Sequence, residues 1–302
     1  MSSDNLIVDV DVKDSGPSEI TNLLYRKIGQ PPKPDITELS GLWGADSYDL
    51  ENVDIFKESS LSEKLLVLED CARGRLEEAY HIEKSGMAFT SKMTLLADTL
   101  EERKLYCQFS ADEANHLEAI TSFLPNISDN HKDNPFIQLL ADIINTGARR
   151  PLIFIIQVLL EGWGIDHYQG MFNSCRSIAL GEVLSKIIKD EAGHHGSGLM
   201  LFNENEMTPT EMNYVVDTLK IFFQMVQVGS VGTVSSIEKV KGHLSSSQKI
   251  GLLHQLQSRE NAQRKLNVLK KLMHKAESNK IIEALEKNNC FRAFDYQTVM
   301  NL

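Results

Sequence analysis

Two stretches of this chain repeat one pattern, and only helices can use it. Asp112-Glu113-Ala114-Asn115-His116 and Asp190-Glu191-Ala192-Gly193-His194 share the form Asp-Glu-x-x-His. A single glutamate precedes each at the same interval: Glu113 follows Glu83 by 30 residues, and Glu191 follows Glu161 by 30 residues. Residues three apart share a face on an α-helix, so Glu-x-x-His aims an oxygen and a nitrogen at one point. All four segments also step by threes and fours through apolar positions, and the acidic residues fall on that same stripe. The first reads Leu76, Ala79, Glu83, Met87, and the second Leu105, Phe109, Glu113, His116, Ile120. The third reads Phe154, Gln157, Glu161, Gly164, Tyr168, Met171, and the fourth Leu184, Ile187, Glu191, His194, Gly198. A carboxylate turned toward a core is costly unless it is paired or bound to metal. A plain helical bundle would need six ligand-type residues placed there by accident.

The periodicity also sets the elements. Ser62 is the expected cap of the first long helix, and the second spans Leu100 to Phe123. Pro125 and the polar run 126–134 then break the chain. The third helix is expected from about Arg150, with Pro151 in its first turn, and the fourth from about Leu180. Thr208-Pro209-Thr210-Glu211 reads as a capping box opening a helix to about Lys241. A further helix is expected over residues 247–277, and a short one to Asn288. Residues 1–60, with Pro17, Pro31, Pro32 and Pro34, read as irregular apart from a short helix near residues 20–28. No stretch alternates as a strand would. The expectation is an all-α chain: an irregular N-terminal arm (1–61), a four-helix core (62–205) and a C-terminal helical extension packed on it (206–302).

The doubled motif resembles the ligand set of the ferritin-like di-iron carboxylate superfamily, over about Ser62 to Phe202. That family takes one glutamate from each of two helices and Glu-x-x-His from each of the other two. The resemblance implies a ferritin-like four-helix bundle with Glu83, Glu113, His116, Glu161, Glu191 and His194 as ligands to two metal ions. Carboxylates and imidazoles without thiolate suit iron or manganese. Iron is the default, with a mixed manganese–iron centre as the alternative and O2 as co-substrate. Four carboxylates balance two divalent ions, so the reduced centre can be buried. Metal-bound histidines commonly donate their second N–H to a carboxylate, and the resemblance gives that role to Asp112 and Asp190. Tyr80 stands one turn before Glu83 as a supporting residue. Gly86 and Gly164 would leave room beside the centre, and Met87 and Phe109 would wall it. Glu78-x-x-His81 reads as a chance pair, because Glu77 and Glu78 miss the stripe and the 30-residue repeat. His167 and His195 point away from their ligand faces and read as surface or supporting histidines.

Composition narrows the function. A net charge of −11 argues against a nucleic-acid or anionic-membrane binder. The longest near-apolar run, Pro151 to Leu160, is too short to span a bilayer, and the N-terminus lacks a secretory pattern. Four scattered cysteines form no Cys-x-x-Cys pair, which excludes a rubredoxin-like site and fits reduced thiols in a cytoplasm. Within the resembling superfamily, Ile120 stands where the radical-bearing reductases carry tyrosine. Ile187 stands where the arylamine N-oxygenases carry a further histidine. What remains is an O2-dependent non-heme di-iron oxygenase or oxidase acting on a small organic metabolite, by hydroxylation, N-oxygenation, desaturation or C–C cleavage. It would be served by an external electron donor. The alternatives are an iron-oxidising or iron-binding protein without organic substrate, and a metal-free bundle. The C-terminal helices suggest an added cover or a dimer surface, hence a homodimer as one expectation.

Overall fold

The computed structural model describes residues 18–125 and 134–302. The break expected over residues 126–134 lies outside the described residues except for Asn134, as do the first 17 residues of the arm. The fold is all-α, with no strand among the described residues. In order it runs α1 (Glu19–Ile28), three 3-10 turns, α2 (Asp54–Lys57), α3 (Leu61–Leu96) and α4 (Leu100–Thr121). Next come α5 (Pro135–Thr146), α6 (Arg149–Leu152), a π-helical segment (Ile153–Leu160), α7 (Glu161–Ser174) and α8 (Ile178–Leu201). The chain closes with α9 (Pro209–Gln227), α10 (Val231–Lys241), α11 (Ser246–Gln255), α12 (Ser258–Lys275), α13 (Asn279–Lys287) and α14 (Tyr296–Met300).

α3 pairs with α4 and α7 with α8, and α4 against α8 joins the two pairs. α6, the π segment and α7 run end to end through right-handed helical backbone, so they act as one bundle helix. Caps set the helix starts. Ser60, not Ser62, caps α3: its hydroxyl accepts from Glu63 N–H, while Glu63 Oε2 accepts from Ser60 N–H at 2.8 Å. The Thr208–Glu211 box opens α9 as expected. The helix expected to reach Lys241 instead breaks at Gly229, whose φ of 74° a side chain would resist, and restarts as α10. The helix expected over 247–277 likewise breaks, at Gln257 with φ 49°, into α11 and α12. α5 was not anticipated. Asn134 caps it and Pro135 opens it, and its apolar side buries Ile137, Leu140, Ile143 and Ile144.

Two apolar clusters flank the middle of the bundle. One joins α5, the π segment, α9, α12 and α13 around Phe154, Leu159, Phe223 and Leu269. The other packs residues 39–56 and α10–α11 on the ends of α3, α7 and α8, around Trp43, Leu50, Leu76 and Leu184. Arg75 of α3 lies over the Trp43 and Tyr48 rings, and Trp43 donates to the Met171 carbonyl at 2.9 Å. Asp35 accepts from the backbone N–H groups of Ile178 and Ala179, capping α8 from outside. Between these clusters sit the buried acidic residues. No described helix is long and apolar enough to cross a membrane.

Candidate metal centre

Each bundle helix delivers its glutamate to the same level. Glu83, Glu113, Glu191, His116 and His194 are buried, with Glu161 half-buried beside them. Their ligand atoms form two groups of four: Glu83, Glu113, His116 and Glu191, and Glu113, Glu161, Glu191 and His194. Within each group the atoms lie within 4.8 Å of one another. Glu113 and Glu191, the heads of the two motifs, belong to both. Each histidine turns Nδ1 inward: His116 Nδ1 is 3.1 Å from Glu83 Oε2, and His194 Nδ1 is 3.2 Å from Glu113 Oε1.

The outer nitrogens meet the two aspartates crosswise. His116 of α4 places Nε2 3.1 Å from Asp190 Oδ2 of α8, and His194 of α8 places Nε2 3.6 Å from Asp112 Oδ2 of α4. Supporting contacts come from residues the sequence analysis left on the stripe without a role. The Tyr168 hydroxyl donates to Glu83 Oε1. The Gln157 amide accepts from Tyr106 at 2.7 Å and donates to the His194 carbonyl at 3.0 Å, tying α4, the π segment and α8 together. Tyr80 lies in the second apolar cluster, its ring edge-on to His81; the phenol that reaches Glu83 is that of Tyr168. Gly86 has a definite use: a Cβ there would meet Glu113 Oε2 at 2.5 Å.

Burial, and then the neighbouring Glu191 charge, push Glu113 well above the usual carboxylate range. Burial raises Glu191 too, and lifts Glu161 to about 8. Burial alone would depress the histidines, but the carboxylates around them outweigh it. Glu83, Glu113 and Glu191 hold His116 at about 10, and Glu113, Glu191 and Glu161 hold His194 at about 12. Metal-free, the centre therefore stores protons on imidazoles and carboxyls alike. Glu161 Oε2 and both ring nitrogens of His194 are buried without a hydrogen-bond partner. Buried polar atoms are normally satisfied, and here they belong to one four-ligand group. A cation at that point would satisfy Glu161 Oε2 and His194 Nδ1, while Nε2 faces Asp112, so the donor set fits a metal ion.

A cavity of about 70 Å³ opens on this cluster between α3, α5 and α7. Glu83, Glu113, Glu161 and Glu191 line its acidic side, and Phe136, Leu140, Ile144, Ile156, Leu160 and Trp163 its apolar side. Gly164 lines it as well, and a Cβ there would meet nothing within 4 Å. Phe109 packs on the His194 ring, at 4.1 Å between centroids.

The structure also places the residues set aside as a chance pair or as surface or supporting histidines. Glu78 lies off the ligand stripe but lines the cavity, because the cavity also faces the flank of α3. His81, its expected chance partner, is buried against Tyr80, and neither residue belongs to the two ligand groups. His167 is no surface histidine. It lines the same cavity with Nε2 buried, and burial lowers its pKa. His195 is buried on the π segment, its Nδ1 3.0 Å from the Val158 carbonyl oxygen. No family model, curated protein or solved structure matches the chain.

Proposed function

We propose that the protein is a non-heme di-iron oxidase or oxygenase of ferritin-like type that uses O2 to oxidise a small organic molecule. The observation that carries this reading is the sharing of Glu113 and Glu191 between two four-ligand groups that open on an apolar cavity. Glu83 and His116 would complete one iron site, and Glu161 and His194 the other. Four carboxylates neutralise two divalent ions, which lets the pair sit in a dry interior. All-oxygen and imidazole donors suit iron, or a manganese–iron pair, over metals that favour thiolate. Two reduced ions together supply the electrons with which O2 is activated.

The chain's own residues do the rest. Asp190 lies within hydrogen-bond distance of the outer nitrogen of His116, and accepting its N–H fixes the tautomer that leaves Nδ1 free to ligate; Asp112 faces the outer nitrogen of His194 at the longer distance of 3.6 Å. Tyr168 orients Glu83 by donating to its outer oxygen. The α5 side chains, with Ile156 and Leu160, exclude water from the open side and give an organic molecule an apolar surface. That surface favours an organic substrate over iron storage alone. Electrons after the first turnover come from an external donor.

The test is anaerobic reconstitution with ferrous iron, followed by O2 uptake in the presence of small organic candidates. Two irons per chain and substrate-accelerated uptake are expected. A folded protein that holds no more than one iron would sink the reading. Two irons with uptake indifferent to every candidate would favour an iron-oxidising protein instead.

A further inference from the structure

The cavity has a second polar end that the metal ligands do not use. Glu78 lies five residues before Glu83 on α3, and His167 lies six residues after Glu161 on α7, and both line the cavity. Along their helices these positions are about 7.5 Å and about 9 Å from the ligand glutamates at 1.5 Å rise per residue. The charges of Glu78 and Asp166 act on His167 against those of Lys265 and Arg75, and of these residues only Glu78 lines the cavity with it.

Three observations say what this end would take. First, no lysine or arginine lines the cavity among the described residues; every charged group there is a carboxylate. Four of the five carboxylates are absorbed by two divalent ions, which leaves Glu78. Second, among the described residues no hydrogen bond or ion pair engages the Glu78 carboxylate, and it is half-buried. Third, His167 Nε2 is buried without a hydrogen-bond partner, and burial keeps the ring neutral despite Glu78. A neutral imidazole protonated at Nδ1 accepts at Nε2. The two groups together are a carboxylate and an acceptor nitrogen, matched to a cation that donates several hydrogen bonds. An anionic headgroup would meet like charge from Glu78.

The geometry points to a short apolar primary amine as the substrate class, its ammonium on Glu78 and His167 and its hydrocarbon laid along Trp163, Leu160 and the α5 side chains toward the metal centre. This assignment rests on the di-iron reading for what happens at the far end of the chain, but the amine site itself is a matter of binding. The position of the nitrogen, one and a half turns away from the ligands, leaves carbon facing the centre. Trp163 adds an aromatic wall that a cation tolerates well.

The experiment is calorimetric titration of the ferrous protein under argon at pH 7.5, with alkylamines of three to six carbons, the alkanols of the same lengths and the alkanoates. Iron is counted on the same samples. At least tenfold tighter binding of amine than of alcohol is expected, with the alkanoate weakest. Glu78→Gln should abolish the amine preference while the iron count stays at two, and Glu78→Asp should keep part of it. His167→Gln should weaken the amine less than Glu78→Gln does. Alkanoates binding as tightly as amines, absence of binding by every chain length, or an amine preference that survives Glu78→Gln would overturn the assignment. The wild-type comparison decides even if a variant fails to fold. An amine preference that is lost in Glu78→Gln, in a protein that binds fewer than two irons, would overturn the metal reading and leave this one standing.

Discussion

Glu113 and Glu191 each belong to both ligand groups, and that double membership grades what substitutions do. Glu83→Ala removes a ligand from one group, so iron content should fall from two to about one per chain. Glu113→Gln weakens both groups at once and should leave less than one. Metal analysis after anaerobic loading and desalting separates the two, and equal iron in Glu83→Ala and wild type would show that Glu83 is not a ligand. All six convergent residues were legible in the sequence, because each rides an apolar stripe that ends in a carboxylate or imidazole. Glu78 and His167 were not. A stripe defines one face of one helix, whereas this cavity lies between three helices and also takes in their flanks. Tyr168 was on the stripe, but its bond to Glu83 crosses from α7 to α3 and depends on packing that no single-helix periodicity encodes.

At the scale of elements, the π segment matters most, since it feeds directly into Glu161. Its run Ile153-Phe154-Ile155-Ile156-Gln157-Val158-Leu159 is buried throughout. The wider turn leaves backbone groups that need partners, and His195 supplies one by donating from Nδ1 to the Val158 carbonyl. Burial and the charge of Lys275 lower the His195 pKa, which keeps it a neutral donor. Gly162 makes the contact possible, for a Cβ there would lie 2.8 Å from the His195 ring. His195→Ala should leave a buried carbonyl unsatisfied, at about 1–3 kcal/mol. That is a fall in melting temperature of roughly 2–6 °C for a domain this large. Differential scanning calorimetry measures it, and an unchanged melting temperature would remove His195 from its supporting role. The sequence showed the apolar run but not its pitch: π and α hydrogen-bonding place the same residues in a core, and the choice is made by the helices that pack around it. The breaks at Gly229 and Gln257 were missed for a related reason, because the apolar periodicity continues across them while the backbone turns.

For the whole molecule, the protons held at the centre make stability depend on pH. Glu161, at about 8 when folded against an ordinary carboxyl value of 4.5, contributes stability below pH 4.5 that is lost as pH rises toward 8. His116 and His194, at about 10 and about 12 against 6.5, contribute below pH 6.5 and lose it as pH rises through their folded values. Between pH 6 and pH 8 the metal-free protein therefore weakens. A metal ion would bind the deprotonated ligands, displace those protons and stabilise only the folded chain. Ferrous iron should raise the melting temperature, and more at pH 8 than at pH 6; anaerobic melts at both values test this, and a larger effect at pH 6 would contradict it. The crosswise pairing of aspartates and histidines has a different consequence, one of symmetry. Exchanging Glu83 with Glu161, Asp112 with Asp190, Glu113 with Glu191 and His116 with His194 maps one ligand group onto the other. The centre thus lies on a pseudo-twofold axis between two helical hairpins, and neither hairpin holds a complete group of four. A single hairpin could have worked only as a pair of identical chains. Joining the two hairpins in one chain, each with its 30-residue interval, puts both groups of four within a single molecule.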